Sequence, residues 1–194
     1  MIPWEIWFTK KLVFHQIISE EDGDLYKFGM ECLILKIAHC ISYLWIAICF
    51  HLVPELILIG CVLIPLRRSA GGYHAKTKTG CYLFSCCYIS IILLLSQIEI
   101  NQFLSWGLLA LSDCIIFFLS PADNENKRLD EVEKIYYRKK ARIILILANT
   151  GCMILPVIHY INIGGLIRWG IYAAAFLLVL QKIRNQKPSW EQLK

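Results

Sequence analysis

Six apolar runs constrain this chain more than any other feature. They fall at about 29–50, 52–66, 82–96, 103–120, 143–161 and 163–181, parted by short polar connections. About 20 apolar residues in a helix span a hydrocarbon core, and inside lipid only a helix or a closed barrel satisfies its own backbone. With 57% hydrophobic residues and a mean hydropathy of +0.54, the chain has too little polar surface to clothe a soluble domain of 194 residues. The expected fold is therefore all-α, a polytopic transmembrane bundle of about six segments occupying residues 28–194. The run at 52–66 is short and bracketed by Pro54 and Pro65, so a segment that is tilted, thinned around by the bilayer or re-entrant is expected there.

Ahead of the bundle, residues 1–27 mix Trp4, Trp7, Phe8, Leu12 and Val13 with Lys10, Lys11, Glu20 and Asp22. That is too polar to span and reads as an amphipathic helix lying in the membrane surface. No removable signal peptide is expected, because no basic segment, apolar run and small-residue cleavage site open the chain.

The formal charge of +5 is not concentrated as a nucleic-acid surface would be; the basic residues are shared among separate connections, which fits positive-inside topology. Lys10 and Lys11, the connection at 67–81, the strongly basic connection at 121–142 and the C-terminal tail are then cytoplasmic. Six crossings meet that parity and turn the weakly charged connections outward, with Arg168 the one outward exception, placed to snorkel to headgroups. Lys36 and Asp113 fall at similar depth and are candidate ion-pair partners, since charges in lipid are usually paired. Gly170 and Ala174 form a small-residue face suited to close helix packing, within the bundle or in a homodimer.

Eight of the nine cysteines lie inside apolar runs, where cysteine is ordinarily a small hydrophobe. Cys81 differs, standing at the edge of the polar stretch Arg67-Arg68-Ser69-Ala70-Gly71-Gly72-Tyr73-His74-Ala75-Lys76-Thr77-Lys78-Thr79-Gly80-Cys81. A thiolate is a nucleophile, and a nearby imidazole can take its proton. On one continuous helix His74 and Cys81 would stand roughly 10 Å apart, too far for proton transfer, so the chain between them must turn back. Gly71, Gly72 and Gly80 give it that freedom. Cys81 would then open a helix, where unpaired amides and the macrodipole favour a negative sulfur and offer donors to an oxyanion. The competing readings are a loop histidine beside an incidental cysteine, and a metal site using His74, Cys81, Cys86 and Cys87. The second is disfavoured because no CxxC spacing occurs and the Cys86-Cys87 pair runs into an apolar segment. Neither metal nor cofactor is expected.

The string Arg67 to Ala75, the six-residue gap to Cys81, the six apolar runs and Ser120-Pro121-Ala122-Asp123 opening a basic connection together resemble the accessory gene regulator protein B (AgrB) family over nearly the whole chain. The resemblance implies a membrane cysteine endopeptidase of a Gram-positive bacterium with a cytoplasmic catalytic loop, using His74 and Cys81. It implies a reaction too: a small precursor peptide loses its C-terminal part through an acyl-thioester on Cys81 and closes to a thiolactone or lactone autoinducing peptide for quorum sensing. The precursor and the lipid bilayer are then the expected partners, with no nucleic acid. Arg67, Arg68, Lys127, Arg128, Lys139 and Lys140 are the basic residues expected to meet the precursor, whose tail in this family is acidic. Two other functions remain open at this level: a small peptide transporter or membrane scaffold without catalysis, and a protease that hydrolyses without cyclising.

Overall fold

Helix caps and prolines set the element boundaries, and the helices reach further into the polar connections than the apolar runs do. The computed structural model describes residues 4–15, 17–19, 21–73, 75, 77–122, 129–157 and 161–186. These form seven helices: α1 (Trp4–Phe14), α2 (Gly23–Cys49), α3 (Val53–Ala70), α4 (Lys78–Leu95), α5 (Gln102–Leu119), α6 (Glu131–Val157) and α7 (Ile161–Gln186). The protein is all-α, and each apolar run maps onto one helix from α2 to α7. Four of them, α2, α4, α5 and α7, are long and apolar enough to cross a membrane.

The chain divides into two compact units, Met1–Ile46 and Ala47–Lys194. In the first, α1 is shorter than the expected 1–27 helix. A turn in which Ser19 Oγ donates to Asp22 at 2.7 Å precedes α2, so residues from Gly23 onward belong to the long apolar helix. Nor do the apolar residues of α1 gather on one face; they are spread around the axis, with Trp7 and Phe14 exposed and Lys11 5.1 Å over the Trp7 ring.

In the second unit α7 is central, packing against α3, α5 and α6. Small residues make that possible. Ala173, Ala174 and Ala175 are buried, and a Cβ on Gly170 would stand 2.8 Å from Val62 Cβ and 3.1 Å from the Ile59 carbonyl oxygen. The Gly170 and Ala174 face is thus used inside the chain to bring α7 against α3. Helix α4 joins the bundle through Tyr88, whose hydroxyl donates to the Ala173 carbonyl at 2.7 Å. Asp113 on α5 accepts from Asn149 on α6 at 3.1 Å, while Lys36, its expected charge partner, belongs to the other unit.

Two stretches differ from the sequence reading. The short run at 52–66 is part of one continuous helix, α3, that passes through Pro65 and ends at Ala70. Its 18 residues span about 27 Å at 1.5 Å per residue, so it is a single pass through the unit, not a re-entrant hairpin. The connection at 121–142 is helical from Glu131. A reciprocal cap explains the start: the Glu133 amide donates to Asp130 Oδ1 at 2.7 Å, and the Asp130 amide points back to Glu133 Oε2 at 3.4 Å.

If α7 closes on α3 through Gly170, then Gly170→Ala should destabilise the folded protein by about 1–3 kcal/mol, the cost of overpacking a tight contact. Gly107→Ala, at a site with open space around it, should leave stability unchanged or slightly raised. Thermal unfolding of both variants in detergent checks this.

Candidate active site

The glycine-rich connection is short. With Arg67 and Arg68 in the last turn of α3 and Cys81 in α4, only residues 71–77 lie between the two helices. Arginines at a helix C-terminus complement the macrodipole, which helps α3 run to Ala70. There Gly71 turns the chain with φ +88° and ψ 172°, a region closed to other residues, while its amide donates to the Arg67 carbonyl at 3.1 Å. A Cβ at Gly71 would meet the Ala122 carbonyl oxygen at 2.7 Å, so glycine is required twice over.

Three other segments hold this end of α3. The Ala122 amide donates to the Ala70 carbonyl at 2.9 Å, docking the segment that leaves α5 through the cis Ser120–Pro121 bond. The Ser120 carbonyl in turn accepts from Arg138 Nε at 3.2 Å, which ties the basic start of α6 to the same place. Helix α7 supplies the third anchor, since the Tyr73 amide donates to the Leu177 carbonyl at 3.2 Å. Arg67 then reaches over the connection and donates from Nη2 to the Tyr73 carbonyl at 3.0 Å. A Cβ on Gly72 would stand 3.0 Å from Arg67 Cγ, so that glycine leaves the arginine its path. The Tyr73 ring packs 4.7 Å from Phe84 on α4 and lies under Arg184 of α7 at 5.6 Å.

On the other side of the connection Thr77 caps α4, its Oγ1 accepting from the Gly80 amide at 3.0 Å. A side chain on Gly80 would collide with that oxygen, at 2.8 Å. Cys81 follows in the first turn of α4, as the sequence predicts, half-buried and outside any disulfide. Its amide donates to the Thr77 carbonyl at 2.9 Å. The Gly80 and Cys81 amides are thus both committed to the helix start, and the expectation that the amides around the cysteine serve an oxyanion is corrected for these two.

His74, Lys127 and Arg128 lie outside the described residues. Of the other basic residues expected to contact a precursor, Arg67 is engaged with the Tyr73 carbonyl, whereas Arg68, Lys139 and Lys140 are exposed. Lys140 Nζ is 5.8 Å from the Tyr136 ring centroid. Sequence reasoning missed the anchors Tyr73, Ala122, Arg138 and Leu177, which come from four separate segments and carry no local signature. Ser69 and Ser120, buried at the same junction with hydroxyls that have no partner among the described residues, were missed for the same reason.

Four helices long and apolar enough to cross a membrane are compatible with a membrane protein, and one of them carries a thiol in its capped first turn beside a glycine-formed turn. The family model for accessory gene regulator B (AgrB) matches residues 7–179, and the chain belongs to the AgrB family. A protein of Clostridium perfringens (strain SM101 / Type A) described as AgrB-like is 23% identical over 183 residues, covering 88% of this chain and 84% of that protein. No solved structure is a significant match. Family membership points to a membrane-associated role in accessory gene regulation, the processing of a quorum-sensing peptide.

The strain Gly71 absorbs gives a direct test. Gly71→Ala should cost about 1–3 kcal/mol of stability from the backbone conformation alone. Limited proteolysis should then cut the variant faster between positions 71 and 77 than the parent protein; equal rates would contradict the assignment.

Proposed function

We propose that this protein is a multi-pass cell-membrane cysteine endopeptidase that removes the C-terminal part of a small precursor peptide and closes the remainder to a thiolactone or lactone. The observation that carries this reading is the built connection itself: a backbone anchored at Tyr73 on one side and capped by Thr77 on the other, delivering Cys81 to the first turn of α4. Family membership supports the reading.

In this mechanism His74 accepts the thiol proton and the Cys81 thiolate attacks the scissile carbonyl. The C–N bond breaks, the imidazolium returns its proton to the departing amine, and the tail leaves with a new N-terminus. The acyl group stays on Cys81 as a thioester. A cysteine of the precursor then gives its proton to the neutral His74 and attacks that carbonyl, and Cys81 leaves as thiolate and recovers a proton from the imidazolium, so one thioester replaces another with little change in free energy. A serine would give a lactone by the same route. Water competes, but an intramolecular thiol in good orientation has an effective molarity on the order of 10⁵ M or more.

The basic end of the bundle supports cytoplasmic placement of the loop under the positive-inside rule. Arg68, Lys139 and Lys140 stand exposed on the two helices that meet at the junction, and with Lys127 and Arg128 they supply the charge that holds the acidic tail. Arg67 has a different part, fixing the residue before His74. A homodimer, if formed, uses a surface other than the Gly170 and Ala174 face, which α3 already covers.

Mass spectrometry of a precursor incubated with the purified protein in liposomes tests the reaction. The parent protein should release the tail and a dehydrated, ring-sized product, and Cys81→Ala and His74→Ala should release neither. Cleavage by Cys81→Ala would overturn the mechanism, and a linear product would assign a hydrolase.

The two roles given to the basic residues separate in kinetics. Arg67→Gln should lower kcat about tenfold or more, the worth of a charge-assisted hydrogen bond, with KM within about twofold. Lys139→Glu with Lys140→Glu should raise KM in a salt-sensitive way and leave kcat near the parent value.

A further inference from the structure

At the end of the bundle opposite the 71–77 connection, a cavity of about 330 Å³ opens between the first turn of α3, the connection from α4 to α5 and the first half of α7. Both signs of charge line it: Glu55 inside, Glu99 at the exposed rim, and Arg168. Tyr172 and Ser105 also line it and satisfy each other, the tyrosine hydroxyl donating to the Ser105 carbonyl at 2.6 Å. One atom of each inner charged group is left without a partner. Among the described residues Glu55 Oε2, out of solvent, accepts no hydrogen bond, and Arg168 Nε, out of solvent, donates none. No ion pair joins the two, and the guanidinium lies 5.0 Å from the Trp106 ring centroid. Charged atoms withdrawn from water without partners are costly and rare, and a native fold that keeps two of opposite sign in one cavity keeps them for something that completes both.

We infer that this cavity binds a zwitterionic headgroup, a primary ammonium linked to a phosphate, as carried by an ethanolamine phospholipid. The ammonium gives Glu55 the donor it lacks, and the phosphate gives Arg168 its acceptor, a pairing to which guanidinium geometry is suited. The volume falls within the range of small-ligand sites. Two features select a lipid over a soluble zwitterion. Ile98, which lines the cavity, is 59% exposed, and Phe103, two residues before the lining Ser105, is 90% exposed, which offers apolar surface for acyl chains to cover. Trp106 and Trp169 also stand beside the cavity, in keeping with the tryptophans that mark the headgroup level of membrane proteins. The inference does not depend on the peptidase reading, because none of these residues belongs to the 71–81 site.

The full-length protein, reconstituted in vesicles of equal parts phosphatidylethanolamine, phosphatidylcholine and phosphatidylglycerol, is released and its retained lipids are counted by native mass spectrometry. Phosphatidylethanolamine should be retained about tenfold or more over phosphatidylcholine, whose quaternary ammonium has no N–H to donate. Glu55→Gln should abolish that preference while leaving phosphatidylglycerol retention unchanged, and Arg168→Gln should lower retention of both phosphatidylethanolamine and phosphatidylglycerol. Equal retention of the ethanolamine and choline lipids by the parent protein overturns the proposal without any variant, as does a preference that survives Glu55→Gln. Added phosphoethanolamine displacing the lipid at equal concentration would overturn the lipid as the source.

Discussion

The C-terminal end of α3 is the constraint on which the site depends. The helix ends because Gly71 adopts a conformation closed to any residue with a side chain, and the Ala122 carbonyl presses on the space a side chain would take. That contact brings the exit of α5 against α3. The Arg67 and Tyr73 bond and the Tyr73 and Leu177 bond then fasten the connection to α3 itself and to α7. The described start of the connection is thereby held by the Arg67 side chain and by the Leu177 carbonyl of α7, just past the Ala70 carbonyl that the Ala122 amide binds.

The arrangement links the packing core to the connection that precedes Cys81. Helix α7 meets α3 through Gly170 in its first half and receives the Tyr73 amide at Leu177 in its second, so the register of one contact sets the other. The start of α6 is joined through Arg138 and Ser120, which carries Lys139 and Lys140 toward the same end of the bundle. A shift of α7 against α3 would thus reach the backbone beside position 74. At the far end the same helices leave Glu55 and Arg168 around an open cavity. One bundle in this way presents a tightly tied end and an end with unfilled polar capacity.

Much of this was legible in the residues, and the remainder fails for identifiable reasons. Apolar run length and the positions of polar connections led to an all-α bundle, and the start of the third apolar run beside Cys81 correctly placed that thiol in the first turn of a helix. The run at 52–66 misled because charges at Arg67 and Arg68 end a hydropathy run without ending a helix. The basic connection misled in the same way, although Asp130 and Glu133 stand at capping-box spacing and announce a helix start. At the N-terminus, apolar residues interleaved with lysines suggested one amphipathic helix, where two separate helices occur. The role of Arg67 could not be read at all. A charged side chain that closes on the carbonyl of a residue six positions away looks, in sequence, like one that awaits a substrate.

The account stands most directly on a covalent bond between Cys81 and the trimmed precursor. A precursor whose ring-closing cysteine is replaced by alanine cannot discharge the thioester internally, so the protein quenched after brief incubation should carry the precursor without its tail. Peptide mapping should place that mass on the segment containing Cys81, and hydroxylamine should remove it. Release of the tail with no adduct at Cys81, and with label from ¹⁸O-water already in the new carboxylate at the earliest time, would contradict it.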